Sequence, residues 1–238
     1  MSDPWFGDLY LESTADLLTP RLSSLEAEVI SRALRLRPGE RVLDVACGHG
    51  RHLAALEGRG LGLFGIDLDR GYLRRAGPGS LVRADQRRLP FGAAFDAAWS
   101  WYSSLFVFDD PDNERALAEV ARVLLPGGRL LVQHANPLRL GGEPEARAAR
   151  DLPGGGRVEE SSLFDPATGV ETLSRVVTRG DRVLAGAARL RYYRPTEWER
   201  IAARAGLRLR ELVSTAAGGP VPFSERSLDL IAVLEKPT

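Results

Sequence analysis

Several residue types are scarce in this chain, and each scarcity excludes a class of protein or site. A single cysteine, Cys47, excludes an internal disulfide and suits a reducing compartment. The three histidines have no zinc-ligand spacing. No apolar run approaches the roughly 20 residues that span a bilayer, and the first residues lack the basic start and apolar stretch of a secretory signal. We therefore expect a cytoplasmic protein with neither a membrane segment nor a metal.

The chain also has no excess of charge, because 32 basic residues balance 32 acidic ones. A general nucleic-acid binder needs a positive surface to neutralise phosphates, so that class is disfavoured. Nearly all the positive charge is arginine, and Lys236 is the only lysine. Abundant charge with few thermolabile residues is typical of thermophiles, although a GC-rich genome also favours arginine.

The most informative segment that is present runs from Val42 to Gly50, a buried strand followed by a Gly-x-Gly turn. A carboxylate, a tight turn and a helix N-terminus after a parallel strand form a nucleotide-binding corner. A dinucleotide fingerprint would place a third small residue at position 53, where this chain has Leu53. Asp44 with Gly48 and Gly50 instead suits S-adenosylmethionine, which carries an ammonium and a carboxylate but no phosphate.

Acidic residues also end the next two predicted strands. Asp67 lies about 20 residues beyond the glycine turn, where an acid accepts hydrogen bonds from ribose hydroxyls. Asp85 can accept from an adenine amino group, and Gln86 follows it. The alternation of elements implies a parallel sheet with right-handed crossovers. The predicted strands are 41–46, 61–66, 80–84, 95–100 and 128–134, and the predicted helices are 23–36, 50–58, 70–76 and 112–124, with Asp110 or Asp112 capping the last.

Five segments of the chain resemble the class I S-adenosylmethionine-dependent methyltransferases, in a bacterial small-molecule branch. They are VLDVACGHGRHLAAL, GIDLD, ADQRRLPF, FDAAWSWYSSLFVFDDPDNERALAEVARVLLPGGRLLV and YYRPTEWERIAARAGL. The resemblance implies that Asp44, Gly48 and Gly50 shape the methionine pocket. It further implies that Asp67 binds ribose, Leu68 lies against adenine and Asp85 meets the adenine amino group beside Gln86. Ala46, Ser100 and Tyr10, the last in an N-terminal segment that often folds over the cofactor in such proteins, complete the candidate cofactor-binding set.

The pattern changes after residue 134. Residues 137–156 are rich in glycine, proline and arginine and predict a mobile loop or short helix, and 157–164, 169–178 and 182–192 alternate as antiparallel strands. A helix capped by Thr196 and closed by Gly206 precedes strands at 207–213 and 227–235. We expect one domain, 1–238, with a Rossmann-like doubly wound sheet of seven strands, mostly parallel with a C-terminal antiparallel hairpin. Residues 137–195 form a small antiparallel lid inserted within it.

Two residues are candidates for catalysis, although methyl transfer requires mainly orientation of the acceptor. His134 follows the fifth strand at the carboxyl edge of the sheet, where a neutral imidazole accepts a proton near pH 7. The alternative is a histidine bonded to loop backbone. Tyr102 follows the fourth strand with Trp99 and Trp101, either facing a sulfonium or packed in an aromatic core. His49 and His52 are expected to be packed or next to the cofactor.

Arg189, Arg191 and Arg194 form a basic aromatic stretch with two tyrosines. It either binds an anionic acceptor or is solvated and paired with Glu197 and Glu199. The expected function is an S-adenosylmethionine-dependent methyltransferase, monomeric or homodimeric, with a small-molecule acceptor. The alternatives are an RNA or protein methyltransferase, a nicotinamide-dependent oxidoreductase, and a non-catalytic S-adenosylmethionine-binding protein.

Overall fold

A computed structural model describes residues 5–238. Residues 1–4, which belong to the segment where we predicted no secretory signal, lie outside the described residues. Helices and strands mostly alternate through residue 142, four consecutive strands follow, and one helix and three strands complete the described chain. The helices are α1 (Asp8–Thr14), α2 (Pro20–Ala33), α3 (Arg51–Leu56), α4 (Arg70–Arg75), α5 (Asp110–Val123), α6 (Pro137–Gly142) and α7 (Trp198–Arg204). The strands are β1 (Arg41–Val45), β2 (Gly62–Asp67), β3 (Ser80–Arg83), β4 (Phe95–Ser100), β5 (Leu124–Ala135), β6 (Glu145–Asp151), β7 (Arg157–Asp165), β8 (Val170–Arg179), β9 (Arg182–Arg191), β10 (Arg208–Ala216), β11 (Gly219–Pro222) and β12 (Asp229–Glu235).

The main sheet has the order β11-β10-β12-β5-β4-β1-β2-β3. Strands β1 to β5 are parallel, whereas β12 lies antiparallel between β5 and β10. The Rossmann-like fold and the C-terminal antiparallel hairpin are therefore confirmed. The sheet nevertheless has eight strands rather than seven, because the short β11 extends its edge beyond β10.

Two apolar layers cover the faces of this sheet, as a parallel sheet requires. Successive strand residues point to opposite faces, so Val42 joins one buried cluster and Leu43 joins the other. Residues of α2 and α3 pack in the cluster of Val42, and residues of α5 and α7 pack in the cluster of Leu43. The sheet is thereby held with its carboxyl edge free to bind ligands. Among residues 5–238, no helix combines the length and apolar character that a membrane span needs.

Three predicted helix starts were misplaced by a few residues. Helix α2 begins at Pro20, after Thr19, whose hydroxyl accepts from the amide of Leu22. Asp109 caps α5, rather than Asp110 or Asp112, because its carboxylate precedes the first helical residue and accepts from the amide of Asp112. Thr196 does not cap α7; a 3₁₀ turn, Pro195–Glu197, precedes that helix.

The second sheet, β6-β7-β8-β9, is antiparallel throughout and carries one strand more than we predicted. Residues 137–156, predicted as a mobile loop or a short helix, contain the short helix α6 and also the strand β6, with only a short turn between β6 and β7. Strand β6 is an edge strand whose side chains are almost all exposed, so its composition resembles that of a loop. A small cluster of Leu152, Val158 and Val177 packs this sheet against Leu9 of α1.

Gly65 tests the packing of the sheet against α3. A Cβ at this buried position would lie 2.8 Å from the Cys47 sulfur and 2.9 Å from Leu53 Cδ1. We expect Gly65→Ala to lower the free energy of unfolding by about 1–3 kcal/mol through overpacking, measured by urea denaturation. Gly92→Ala is the control, since a Cβ there meets nothing within 4 Å. Equal stability of the two variants would contradict this packing.

Candidate active site

A cavity of about 730 Å³ opens at the carboxyl ends of the parallel strands. Its floor is made by the ends of β1 and β2 and by residues 101–104, which follow β4. The sheet order reverses between β1 and β4, and ligands of open α/β sheets bind at such a switch point. Helix α1 and strands β8 and β9 of the second sheet complete the walls. The cavity therefore lies where the sequence predicted the site.

The glycine turn adopts backbone conformations that few other residues adopt. Gly48 has a φ of +56° and lines the cavity, and a Cβ there would meet no other atom within 4 Å. Gly50, with a φ of +74°, does not line the cavity; a Cβ on it would lie 3.1 Å from the Cβ of Ala76. Ala46 lines the cavity with a φ of +60°, which is uncommon for a residue with a side chain. Gly50 thus shapes the turn by packing rather than by facing a ligand.

Asp67 holds the glycine turn in place. Its two oxygens accept from the amides of Gly48, at 2.9 Å, and Asp69, at 2.8 Å. Burial raises the pKa of this carboxyl, and the amide hydrogen bonds oppose that effect. Each oxygen has a second lone pair, so Asp67 can still accept hydrogen bonds from a ligand. Leu68 beside it lines the cavity with an exposed side chain.

Asp44 is the most unusual acid of the site. Its side chain is buried, and its Oδ2 atom has no hydrogen-bond partner among residues 5–238. The nearest basic group is the Nδ1 atom of His52, 4.0 Å from Oδ2. Burial raises the pKa of Asp44 well above its usual range, although the charge of Arg51 opposes this. A cationic group of a ligand would supply the missing partner.

Sequence reasoning missed a buried network around Glu26 of α2. The carboxylate forms an ion pair with Arg51 and accepts hydrogen bonds from His52 Nε2 at 3.1 Å and Trp101 Nε1 at 3.2 Å. Burial alone would raise the pKa of Glu26, but His52 and Arg51 outweigh it and hold this pKa below its ordinary value. Among the described residues, the Nη2 atom of Arg51 is buried without a partner.

A signal for Glu26 was present in the sequence. It stands three and four residues before Val29 and Ile30, both fully buried, and therefore on the apolar face of α2. An acid on the buried face of a helix requires a partner. The structure shows that this partner is Arg51.

Asp85 and Gln86 line the cavity at the end of β3. Arg87 forms an ion pair with Asp85 at 2.7 Å, and this hydrogen-bonded pair lowers the pKa of Asp85. The Gln86 amide donates to the carbonyl of Ser104 at 2.9 Å, and its Oε1 atom is buried with no partner in the described part of the chain. Both side chains thus present acceptors to a ligand.

Tyr10 and Tyr102 form part of the cavity wall, as predicted. The amide of Tyr102 donates to Gln133 at 2.8 Å, and the residue has a φ of +54°, a strained conformation typical of functional sites. Its ring lies 5.0 Å from the guanidinium carbon of Arg51. Burial raises the pKa of both tyrosines, so at neutral pH these hydroxyls donate hydrogen bonds and do not act as proton acceptors.

Besides Gly50, two predicted site residues lie outside the cavity. Ser100 is buried beneath it, and His134 is fully buried on the opposite face of β5 from Gln133, which does line the cavity. His134 donates from Nδ1 to the carbonyl of Ala135 at 2.7 Å, and Trp198 stacks on its ring at 5.7 Å. This position favours the alternative we considered, a histidine bonded to loop backbone, over a catalytic base. The strand end was correctly predicted, but the face was not.

The arginine stretch does not reach the cavity either. Arg191 is buried in ion pairs with Asp110 at 3.2 Å and Glu197 at 2.7 Å. Arg194 donates to the carbonyl of Pro166, and Arg189 is exposed. The pairing with Glu197 was the second of our two interpretations. An anionic acceptor therefore has no support from these residues.

His49 and His52 both line the cavity beside the glycine turn. Burial lowers the pKa of His52 to about 4, which keeps its ring neutral at physiological pH. Cys47 is buried against the same turn. Within the described part of the chain, no three His, Cys, Asp or Glu side chains are arranged to hold a metal ion.

Comparisons with known proteins agree with this architecture. Residues 42–128 match the family described as a methyltransferase domain. The predicted resemblance to a methyltransferase is therefore confirmed over these residues. A demethylmenaquinone methyltransferase of Corynebacterium kroppenstedtii is 36% identical over 122 residues, 50% of this chain and 52% of that protein. The chain thus spans about half the length of the curated relatives that it matches.

Solved structures extend the likeness over nearly the whole chain. The CcbJ methyltransferase of Streptomyces caelestis superposes with a TM-score of 0.79 at 20% identity, covering 97% of this chain and 98% of that one. A sugar N-methyltransferase of Streptoalloteichus has a TM-score of 0.72 at 22% identity, covering 98% and 94%. At these identities the likeness establishes the fold, which includes the region of the second sheet.

The buried position of His134 predicts a dependence of stability on pH. Burial lowers its pKa to about 4, whereas an unfolded histidine titrates near 6.5. Below pH 6.5 unfolding takes up a proton, so the contribution of neutral His134 to stability is present above that pH and is lost as pH falls towards 4. In His134→Gln the free energy of unfolding should fall less steeply with decreasing pH, by up to about 1.4 kcal/mol per pH unit, measured by urea denaturation from pH 4 to 7.

His49→Gln is the matched control, because His49 is only partly buried and should change that slope less. Parallel pH curves for the parent protein and His134→Gln would show that the pKa of His134 is the same in the folded and unfolded states. Such a result would restore its candidacy as a proton acceptor.

Proposed function

We propose that this protein is an S-adenosylmethionine-dependent methyltransferase acting on a small-molecule acceptor. One observation carries the proposal: the cavity beside the glycine turn contains a buried acceptor atom, Asp44 Oδ2, and a buried donor atom, Arg51 Nη2, both without partners among residues 5–238. The methionine end of S-adenosylmethionine carries an ammonium and a carboxylate. These two ligand groups complement the two unpartnered atoms in charge and in hydrogen-bonding role.

The adenosine end fits the residues at the ends of β2 and β3. Asp67 has free lone pairs for ribose hydroxyls, and the exposed side chain of Leu68 offers an apolar surface for adenine. Asp85 and the unpartnered Oε1 of Gln86 are acceptors for the adenine amino group. Gly48 leaves open space beside the turn because a Cβ there would meet nothing within 4 Å.

Methyl transfer requires the protein to do little more than orient the acceptor. S-adenosylmethionine, when bound, supplies an activated methyl group on a sulfonium. Holding an acceptor in line with such a group contributes up to roughly 7–11 kcal/mol in ideal cases. Tyr102 is the candidate for this positioning role, since its hydroxyl donates and its strained backbone places it at the cavity wall.

Residues 137–195 would act as the wall and lid of the acceptor end within a single domain. Leu173 of β8 and Leu190 of β9 line the cavity and would contact the carbon skeleton of an acceptor. An enclosed site of this kind suits a small molecule better than RNA or a protein. The methyltransferases named in the comparisons include a demethylmenaquinone enzyme and a sugar N-methyltransferase, which supports the small-molecule class.

Three further expectations belong to this proposal. A cytoplasmic location is supported by the single, buried, free cysteine. A thermophilic source is supported by the arginine ion pairs across the surface, such as Arg122–Glu119 at 2.8 Å and Arg204–Glu114 at 2.9 Å. We expect the protein to be a monomer or a homodimer.

Titration calorimetry with S-adenosylhomocysteine tests the cofactor assignment. We expect micromolar binding, on the order of −8 kcal/mol, and no heat with NAD. Asp67→Ala should weaken binding by about 1–3 kcal/mol, because ribose hydroxyls and the Gly48 amide lose a charged acceptor. Asp181→Ala, in the exposed turn between β8 and β9, is the control and should bind as the parent does.

An unchanged affinity in Asp67→Ala would remove the ribose assignment. Transfer of a labelled methyl group to a metabolite extract separates an enzyme from a non-catalytic binding protein. Binding without any transfer would favour the binding protein.

A further inference from the structure

The charges that line the cavity are strongly unbalanced. Seven carboxylates face it, against two guanidiniums, those of Arg51 and Arg175. Both cations already have anionic partners: Arg51 pairs with Glu26, and Arg175 pairs with Glu160, which lies outside the cavity. Five of the seven acids belong to the proposed cofactor end, namely Glu26, Asp44, Asp67, Asp69 and Asp85. The other two lie on the acceptor side.

Those two acids, Asp229 and Glu171, differ in how their charges are satisfied. Asp229 accepts four hydrogen bonds from protein groups, two of them from Thr215 and the others from Ser214 and Gln133, at 2.6 to 3.1 Å. A carboxylate with four donors is stabilised without a ligand. Asp229 therefore has a structural role.

Glu171 of β8 is only 7% exposed and has a single hydrogen bond, from the hydroxyl of Tyr192 to its Oε2 atom at 2.7 Å. Within residues 5–238 it forms no ion pair, and its Oε1 atom has no hydrogen-bond partner. The guanidinium of Arg175, on the same strand, is turned towards Glu160, Ser13 and the ring of Trp5. The Oε1 atom of Glu171 is open to the cavity, and the described part of the chain does not pair its charge, so a cationic group of a ligand can bind there.

The position of Tyr192 is fixed by its aromatic neighbours. Its ring stacks on that of His134, which in turn stacks on that of Trp198, with 5.7 Å between the ring centroids in each pair. The hydroxyl is thereby aimed at Glu171 from a rigid support. Both residues line the cavity, so the free oxygen of Glu171 and the edge of Tyr192 are available to a ligand.

We propose that Glu171 and Tyr192 form an amine-binding subsite and that the acceptor enters this cavity as an ammonium cation. This inference rests on the proposed methyltransferase function and names the substrate class. The ammonium pairs with the free oxygen of Glu171, and Leu173 and Leu190 contact the carbon skeleton. The hydroxyl of Tyr192 stays bonded to the other oxygen and orients the carboxylate. Among the described residues, an anionic acceptor finds no free cation on this side of the cavity.

Three probes with one carbon skeleton test the proposal: cyclohexylmethylamine, cyclohexylmethanol and cyclohexanecarboxylate. Their affinities are measured by ligand-observed NMR titration, with and without saturating S-adenosylhomocysteine. We expect the amine to bind at least about tenfold more tightly than the alcohol, in keeping with a charge-assisted hydrogen bond, and the carboxylate more weakly than both. Equal binding of amine and alcohol by the parent protein would overturn the proposal, and this comparison needs no variant.

Glu171→Gln keeps an acceptor for Tyr192 but removes the charge, so the preference for the amine should disappear. Glu171→Asp keeps the charge and should retain the preference if the glutamine variant does not fold. Glu159→Gln, an exposed acid on β7 paired only with Arg157 among residues 5–238, is the control and should bind as the parent does. Retention of amine preference in folded Glu171→Gln would also overturn the proposal.

Failure of the proposed function has a different signature. S-adenosylhomocysteine would then not bind, whereas the amine preference and its loss in Glu171→Gln would still be measured without it. Failure of the subsite alone would appear as normal S-adenosylhomocysteine binding, unchanged in Glu171→Gln, with no preference for the amine.

Discussion

The carboxylate of Glu26 joins three segments that are far apart in the chain. It comes from α2, and its partners are Arg51 and His52 at the start of α3 and Trp101 after β4. These contacts fix the glycine turn and the switch point of the sheet relative to one helix. Removing one partner of a buried ion pair costs roughly 3–5 kcal/mol, since the other charge is left uncompensated. The cavity therefore depends on a group that does not bind the adenosine itself.

Some buried polar groups have all their partners within the chain, whereas others at the cavity keep an atom free. Asp229 and Arg191 have full sets of partners within the chain. Asp44, Arg51 and Gln86 each retain a buried atom at the cavity with no partner among residues 5–238. Folding alone gains nothing from such atoms, because unpaired buried polar groups are destabilising. Buried atoms of Trp99, Ser100, His134 and Trp198 also have no partner among residues 5–238, but those residues do not line the cavity. What indicates binding is therefore that an acid, a guanidinium and an amide at one cavity each keep an atom free for a polar ligand.

Much of the fold and the cofactor end followed from local patterns, whereas the acceptor end did not. Asp67 and the glycine turn were predictable because parallel strands bring their carboxyl ends to one edge. His134 was misassigned because Gln133 and His134 differ by one residue, and only the sheet decides which of them faces the ligand. Glu171 gave no signal, since its burial depends on tertiary contacts of the second sheet at the cavity. The edge strand β6 was missed for a related reason: its exposed alternation resembles a loop.

A cationic acceptor would be repelled by the positive charges of the cofactor, and the acids of the cavity offset this repulsion. The sulfonium and the ammonium of S-adenosylmethionine already bring positive charge, and a second cation nearby would be repelled in a site of low dielectric constant. The excess of carboxylates over guanidiniums along the walls offsets that repulsion. It also sets the sign of the acceptor, because on that side of the cavity an anion would meet Glu171 and Asp229, and Arg175 is already paired with Glu160. The same imbalance that binds the cofactor therefore selects the charge of the acceptor.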